Sequence, residues 1–137
     1  MNHVNKIAKI TTAGAITEFS VAASSGLLCI GRGADGNIWF CEQSTNKIGK
    51  ITPSGVITEF SIPTANSQPA GIGKASDGNM WFTEEGGNKI GRITPSGTIV
   101  EFAIPTGSSR PFGIVAGSDG FVWFSETNLA QIGKIWP

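Results

Sequence analysis

Apolar and polar residues alternate along the chain in short runs that break every five or six positions. Met80 and Phe82 fall on one face of such a run and Trp81 on the other, and Ile90, Arg92 and Thr94 alternate against Gly91 and Ile93. Period-two alternation is the signature of a β-strand with two distinct faces. Tight-turn chemistry interrupts the runs. Asp77-Gly78 supplies a glycine that accepts positive φ, and Pro95-Ser96-Gly97 places Pro at the second position of a turn. No segment sustains a 3.6-residue period, so no helix is predicted. The pattern predicts four strands, A to D, over residues 71–75, 79–83, 89–94 and 98–102.

The same pattern recurs. Asp35-Gly-Asn-Ile-Trp-Phe40 returns as Asp77-Gly-Asn-Met-Trp-Phe82 and as Asp119-Gly-Phe-Val-Trp-Phe124, each step being 42 residues. Asn46-Lys-Ile-Gly-Lys-Ile-Thr52 returns from Asn88 to Thr94; a weaker copy runs from Asn5 to Thr11, and a last one closes the chain at Gln131-Ile-Gly-Lys-Ile135. Four short antiparallel strands per ~42 residues describe a β-propeller blade. The fold class is therefore all-β, a propeller of four-stranded antiparallel blades with about three blades per chain. Its units are a partial blade at 5–20, blades at 27–60 and 69–102, and a partial blade at 111–136. Trp39, Trp81 and Trp123 occupy one position of each B strand and read as structural, filling the space between blades.

Three blades do not close a ring, and an open arc leaves strand edges unpaired. Thirteen strands per chain give 26 in a pair of chains, where six blades need 24, and an odd blade number cannot obey a two-fold axis. The expectation is a homodimer closing a six-bladed ring, the N-terminal strands of one copy completing the C-terminal blade of the other. One strand-C copy is left over, either 6–11 or 131–135, and the count does not choose between them. A piece of a larger protein is the alternative, and Met1 at the start is equally consistent with a natural short chain.

Composition narrows the function classes. Ten basic and ten acidic residues cancel, so the chain has no electrostatic footprint for nucleic acid or an anionic membrane. No apolar run approaches a membrane span, and the first 19 residues lack a signal-peptide core. One His and two Cys nearly exclude a His/Cys metal centre or a disulfide framework. Cys29 and Cys41 read as small buried free thiols of a cytoplasmic protein. Gly31-Arg-Gly-Ala-Asp-Gly36 matches the dinucleotide fingerprint only by coincidence, because its last Gly is a hairpin turn and no helix follows. His3 precedes the first repeat and belongs to no strand.

The segments Asn88-Lys-Ile-Gly-Arg-Ile-Thr-Pro-Ser-Gly97, Ile16-Thr-Glu-Phe19, Pro69-Ala-Gly-Ile72 and Asp77-Gly-Asn-Met-Trp-Phe-Thr-Glu84 resemble the repeats of the virginiamycin B lyases (streptogramin lyases). That resemblance covers essentially the whole chain. It implies a bacterial seven-bladed propeller type that opens a cyclic depsipeptide antibiotic with Mg²⁺, built from about twice as many repeats as this chain holds. The lyases carry catalytic histidines just after the Pro that begins strand A. The matching positions here are Leu28, Ala70 and Phe112, none able to transfer a proton. The residue before that Pro, a Glu at one of the family's sites, is Gln68 or Arg110 here, and Glu84-Glu85 resembles the family's carboxylate at the end of strand B.

In a propeller the D-to-A and B-to-C loops share one face, and functional residues gather there. The expected ligand site at that channel mouth is Gln68, Ala70, Glu84, Glu85, Arg110, Phe112 and Glu126, with no catalytic residue, no metal and no cofactor. Glu42, Glu84 and Glu126 are expected at the surface, pairing with Lys47, Lys89 or a neighbouring Arg, and Glu18, Glu59 and Glu101 are expected solvated on the outer strand. The functional expectation is a non-catalytic, self-assembling half-propeller that binds a small molecule. The alternative is a Mg²⁺-dependent streptogramin lyase active as a dimer.

Overall fold

Turns set the registers. In each Asp-Gly turn the Asp carboxylate folds back on the strand that follows: Asp77 accepts from Asn79 N at 3.0 Å and from Trp81 Nε1 at 3.2 Å, and Asp35 does the same for Asn37 and Trp39. The computed structural model describes residues 5–137, so His3 lies outside the described residues. It is all-β. The strands are β1 (Lys6–Ile10), β2 (Ile16–Ser20), β3 (Leu27–Arg32), β4 (Ile38–Glu42), β5 (Lys47–Ile51), β6 (Ile57–Ser61), β7 (Pro69–Lys74), β8 (Met80–Glu84), β9 (Lys89–Ile93), β10 (Ile99–Ala103), β11 (Pro111–Ala116), β12 (Val122–Glu126) and β13 (Gln131–Ile135).

They form antiparallel sheets in chain order: a β1–β2 hairpin, blade 1 (β3 to β6), blade 2 (β7 to β10) and a three-stranded blade 3 (β11 to β13). Strand A of blade 2 starts at Pro69, two residues before the predicted start, because a bulge between Pro69 and Ile72 re-aims the chain. Pro is tolerated there as a first strand residue. The Thr83 hydroxyl accepts from the freed Gly71 N–H at 2.8 Å and donates to the Phe112 carbonyl of blade 3 at 2.8 Å. This hydroxyl therefore fastens one inner strand to the next. Gly71 bears no β-carbon because the Phe112 carbonyl occupies that space.

Blade 1 departs from this scheme. Cys29 stands where blade 2 has Gly71, and Cys41 stands where it has Thr83. The two are joined by a disulfide, their Cα atoms 5.2 Å apart. The expectation of free thiols is thus overturned: the bulge brings two facing positions of adjacent strands within bridging distance.

The core lies between the sheets. Trp39 and Ile48 of blade 1 pack against Met80, Phe82 and Ile93 of blade 2. Trp81 and Ile90 of blade 2 pack against Val122 and Phe124 of blade 3. Ile7 and Val21 pack against Phe40 and Ile51 of blade 1. Each tryptophan of a complete blade is clamped. Trp81 stacks on Phe102 of strand D at 5.5 Å, with the Arg92 guanidinium 5.8 Å from its centroid, and Trp39 stacks on Phe60 at 5.9 Å under Lys50. On the opposite face Phe82 lies flat over Gly91, a position where any β-carbon would strike the ring; Phe40 over Gly49 and Phe124 over Gly133 repeat this.

Among the described residues, no strand pairs with the inner edge of β1 or the outer edge of β13. No helix among them is long and apolar enough to cross a membrane.

Candidate functional site

The loop face is built by two residues that the repeat places in register. Asn88 follows the β8–β9 turn, and its side-chain oxygen accepts from both the N–H and the hydroxyl of Ser109, each at 2.8 Å. Its amide nitrogen donates to the carbonyls of Ile104 and Thr106. Asn46 holds Ser67, Ile62 and Thr64 in the same way. The D-to-A loops are thereby pinned from below, with Ser67 and Ser109 fully buried.

Between the loops of blades 2 and 3 lies a polar cleft of about 450 Å³, lined by Gln68, Glu85, Asn88, Ser108, Arg110 and Asn128, with Gly86. Arg110 forms an ion pair with Glu85 across it. The guanidinium is mostly exposed and the carboxylate mostly covered. Gln68 and Arg110 both hold left-handed backbone, at φ of 52° and 49°. The equivalent residue of blade 1 is Gly26, also at positive φ, which is the residue this geometry favours.

Three of the seven expected ligand residues, Gln68, Glu85 and Arg110, therefore come together in one cleft. Phe112 is exposed on β11 but does not line it. Ala70, Glu84 and Glu126 are buried. Asn88, Ser108 and Asn128 belong to the cleft and were missed. The recurrence of Asn46 at Asn88, 42 residues on, was the available signal.

The carboxylates at the ends of the B strands are not surface residues. Glu42 and Glu84 are 0% exposed and Glu126 is 6% exposed. Each ends strand B opposite the first residue of strand C, and the alternation places it on the same face as Phe40, Phe82 or Phe124. Thr45 donates to Glu42 at 2.7 Å. Blade 2 has Gly87 at the position of Thr45, and neither oxygen of Glu84 has a hydrogen-bond partner among the described residues. Burial pushes the Glu84 carboxyl up to about 8, the charge of Glu101 adds to the rise, and Lys89 opposes it. Burial also raises Glu42. Glu101, expected to be solvated, is largely covered: it accepts from Thr64 N and Oγ1, each at 2.9 Å, and from Lys89 Nζ at 3.0 Å. Burial alone would raise its carboxyl, but these hydrogen bonds outweigh burial and hold it below the usual range. Each complete blade thus contains a Glu–Lys–Glu cluster: Glu84, Lys89 and Glu101 in blade 2, and Glu42, Lys47 and Glu59 in blade 1, where Lys47 contacts Glu59 at 2.5 Å.

These clusters do not suit Mg²⁺, which demands an octahedron of oxygen donors with several waters. Glu84 is enclosed beside a lysine, and no three acidic, His or Cys side chains among the described residues converge on a common point.

A model of the virginiamycin B lyase family matches residues 1–137. No curated protein matches the chain. Among solved structures, the chain is similar to a catalytically inactive histidine-to-alanine variant of virginiamycin B lyase from Staphylococcus aureus with quinupristin. Identity is 48% and the TM-score 0.92, over 95% of this chain and 45% of that one. It is similar to the selenomethionine form of virginiamycin B lyase from Staphylococcus aureus at 44% identity and a TM-score of 0.88, over 97% of this chain and 49% of that one. A streptogramin B lyase matches at 39% identity and a TM-score of 0.87, over 96% of this chain and 48% of that one. The chain spans about half the length of these structures.

Proposed function

We propose, since the chain belongs to the virginiamycin B lyase family, that it is a self-assembling half-propeller that binds a peptide-like small molecule on its loop face without opening it. The observation that carries this reading is the pair Gln68 and Arg110. Both occupy left-handed backbone that in blade 1 is given to glycine, and both line the same cleft. A non-glycine residue there costs about 1 kcal/mol, so the fold bears strain to place an amide and a guanidinium beside Glu85. Together with Asn88, Ser108 and Asn128 they offer donors and acceptors to backbone amides and carbonyls of a ligand.

Ring opening requires groups that remove and deliver protons. In the staphylococcal complex, replacing one histidine by alanine accompanies loss of catalysis. At the positions where the family resemblance puts its histidines, this chain has Leu28, Ala70 and Phe112. In this reading two copies of the chain close the ring, with one site on each copy.

Quinupristin is the probe for this reading. Titration calorimetry of the purified chain should show saturable binding, weakened roughly tenfold by Arg110→Ala, the loss of one charged hydrogen-bonding group. Mass spectrometry after incubation with Mg²⁺ should show the ring intact. Turnover near that of a full-length lyase would replace this reading with a dimeric Mg²⁺-dependent lyase, and its abolition by His3→Ala would locate the base.

A further inference from the structure

The β1–β2 hairpin lies against blade 1 as strands C and D of a blade that has no A or B strand among the described residues. Lys9 Nζ donates to the Pro53 carbonyl at 3.0 Å, as Lys50 Nζ donates to that of Pro95 at 2.8 Å in the next blade. Gly55 abuts Phe19 as Gly97 abuts Phe60. In blade 1 the tryptophan Trp39 fills the space bounded by Phe60, Lys50 and Ile72. The equivalent space beside the hairpin is bounded by Phe19, Lys9 and Ile30, and it is a cavity of about 390 Å³ with no tryptophan. At the other end Trp123 is bonded to Asp119 at 3.0 Å and capped by Lys134, but it has no strand-D phenylalanine and is only half-buried. One end is a socket without its ring, and the other is a ring without its socket.

The charges match in the same sense. A complete blade unites a strand-B Glu, a strand-C Lys and a strand-D Glu, with Thr64 of the preceding loop donating to the last in blade 2. The hairpin has Lys6 paired with Glu18 but no strand-B Glu. Blade 3 has the buried Glu126 and, at the position of Thr64, Thr106, but it has Gln131 where the other blades have lysine.

Resting on the self-assembly reading above, we propose that a second copy of this chain completes both ends. Trp123 of one copy enters the Phe19–Lys9–Ile30 slot of the other, and its Glu126 and Thr106 join Lys6 and Glu18. The joint occurs twice about a two-fold axis and closes six blades. It also decides which strand C is used. β1 keeps the position and β13 gives way, because Ile7 is buried on blade 1 whereas Ile132 is 73% exposed, and because only β1 brings the lysine. Ala8 of β1 stands where Gly49, Gly91 and Gly133 make room for a phenylalanine ring, so Phe124 must tilt in the joint.

Sedimentation equilibrium of the full chain tests this. The wild type should be a dimer, and Ile30→Asp should raise its dissociation constant roughly 100-fold by burying an unpaired charge in the slot. Ile30 is 60% exposed in the single chain, so the variant folds. Lys6→Gln should weaken the dimer roughly tenfold, Gln131→Lys should leave it unchanged, and Ala8→Gly should tighten it. A wild type that stays at 14.3 kDa overturns the self-assembly reading itself. A wild-type dimer that Ile30→Asp leaves intact overturns only the tryptophan slot. A dimer indifferent to Lys6→Gln and tightened by Gln131→Lys overturns the choice of β1.

Discussion

Glu84 carries an unfavourable burden for a single side chain: a carboxyl with no exposed surface and no hydrogen-bond partner among the described residues, set beside the anionic Glu101. In the folded chain it holds its proton up to about pH 8, whereas the unfolded chain releases it near 4.5. Between those values the folded state binds more protons, so stability falls as pH rises, by at most about 1.4 kcal/mol per pH unit. The contribution is complete below pH 4.5 and lost by pH 8. Urea unfolding at pH 5, 6.5 and 8 should show this decline. Glu84→Gln, which is neutral at every pH, should flatten it and be more stable than the parent at pH 8. A slope unchanged by the substitution would place the titrating group elsewhere. Nothing in the spacing of Glu42, Glu84 and Glu126 announces burial, since acidic residues are almost never fully buried without a partner and a strand-end Glu reads as solvated. The cluster with Lys89 and Glu101 is formed by three strands whose side chains converge only once the register is fixed.

At the scale of the element, the strand-B tryptophan is the piece on which a blade depends. Trp81 is about 1% exposed and touches two blades at once. Trp81→Ala should cost about 3–5 kcal/mol in chemical unfolding, and a loss below 1 kcal/mol would show that neighbouring side chains refill the space. The blades themselves were readable from the chain because a 42-residue period, Asp-Gly turns and strict alternation all agree. The start of strand A was misplaced by two residues, since a bulge leaves no mark in period-two alternation, and the pairing of Cys29 with Cys41 was missed for the same reason. That bond closes a short loop between β3 and β4, and such closure contributes about 3 kcal/mol in the chain-entropy model. Denatured, unreduced protein should therefore give no titratable thiol. Reduction should lower the unfolding midpoint, and two free thiols per chain before reduction would show that the strands hold their register without the bond. Of the cleft, Gln68, Glu85 and Arg110 were legible from loop position taken together with the family resemblance. Asn88 was not, because its visible task is to hold Ser109, and its second face towards the cleft depends on how blades 2 and 3 fan apart.

For the whole molecule, the proposed pairing turns on the apolar surface at the two ends of the arc. Ile10, Ile16 and Ile30 at one end and Val115, Ile132 and Trp136 at the other are each more than half exposed, and the inner edge of β1 and the outer edge of β13, unpaired among the described residues, accompany them. Exposed apolar residues and free edges of this kind favour association over an isolated arc. If two copies cover these ends, part of the burial that stabilises the fold belongs to the pair and not to the single chain, and unfolding then includes dissociation. The apparent stability of such a dimer follows concentration, because mass action favours association by about 1.4 kcal/mol for each tenfold increase. Thermal melts of the full chain from the low micromolar to the high micromolar range should therefore shift upward together with the dimer fraction. A melting temperature independent of concentration over that range, in protein that sedimentation shows to be dimeric, would mean that each arc of three blades holds its own structure and that the joint adds nothing to its folding.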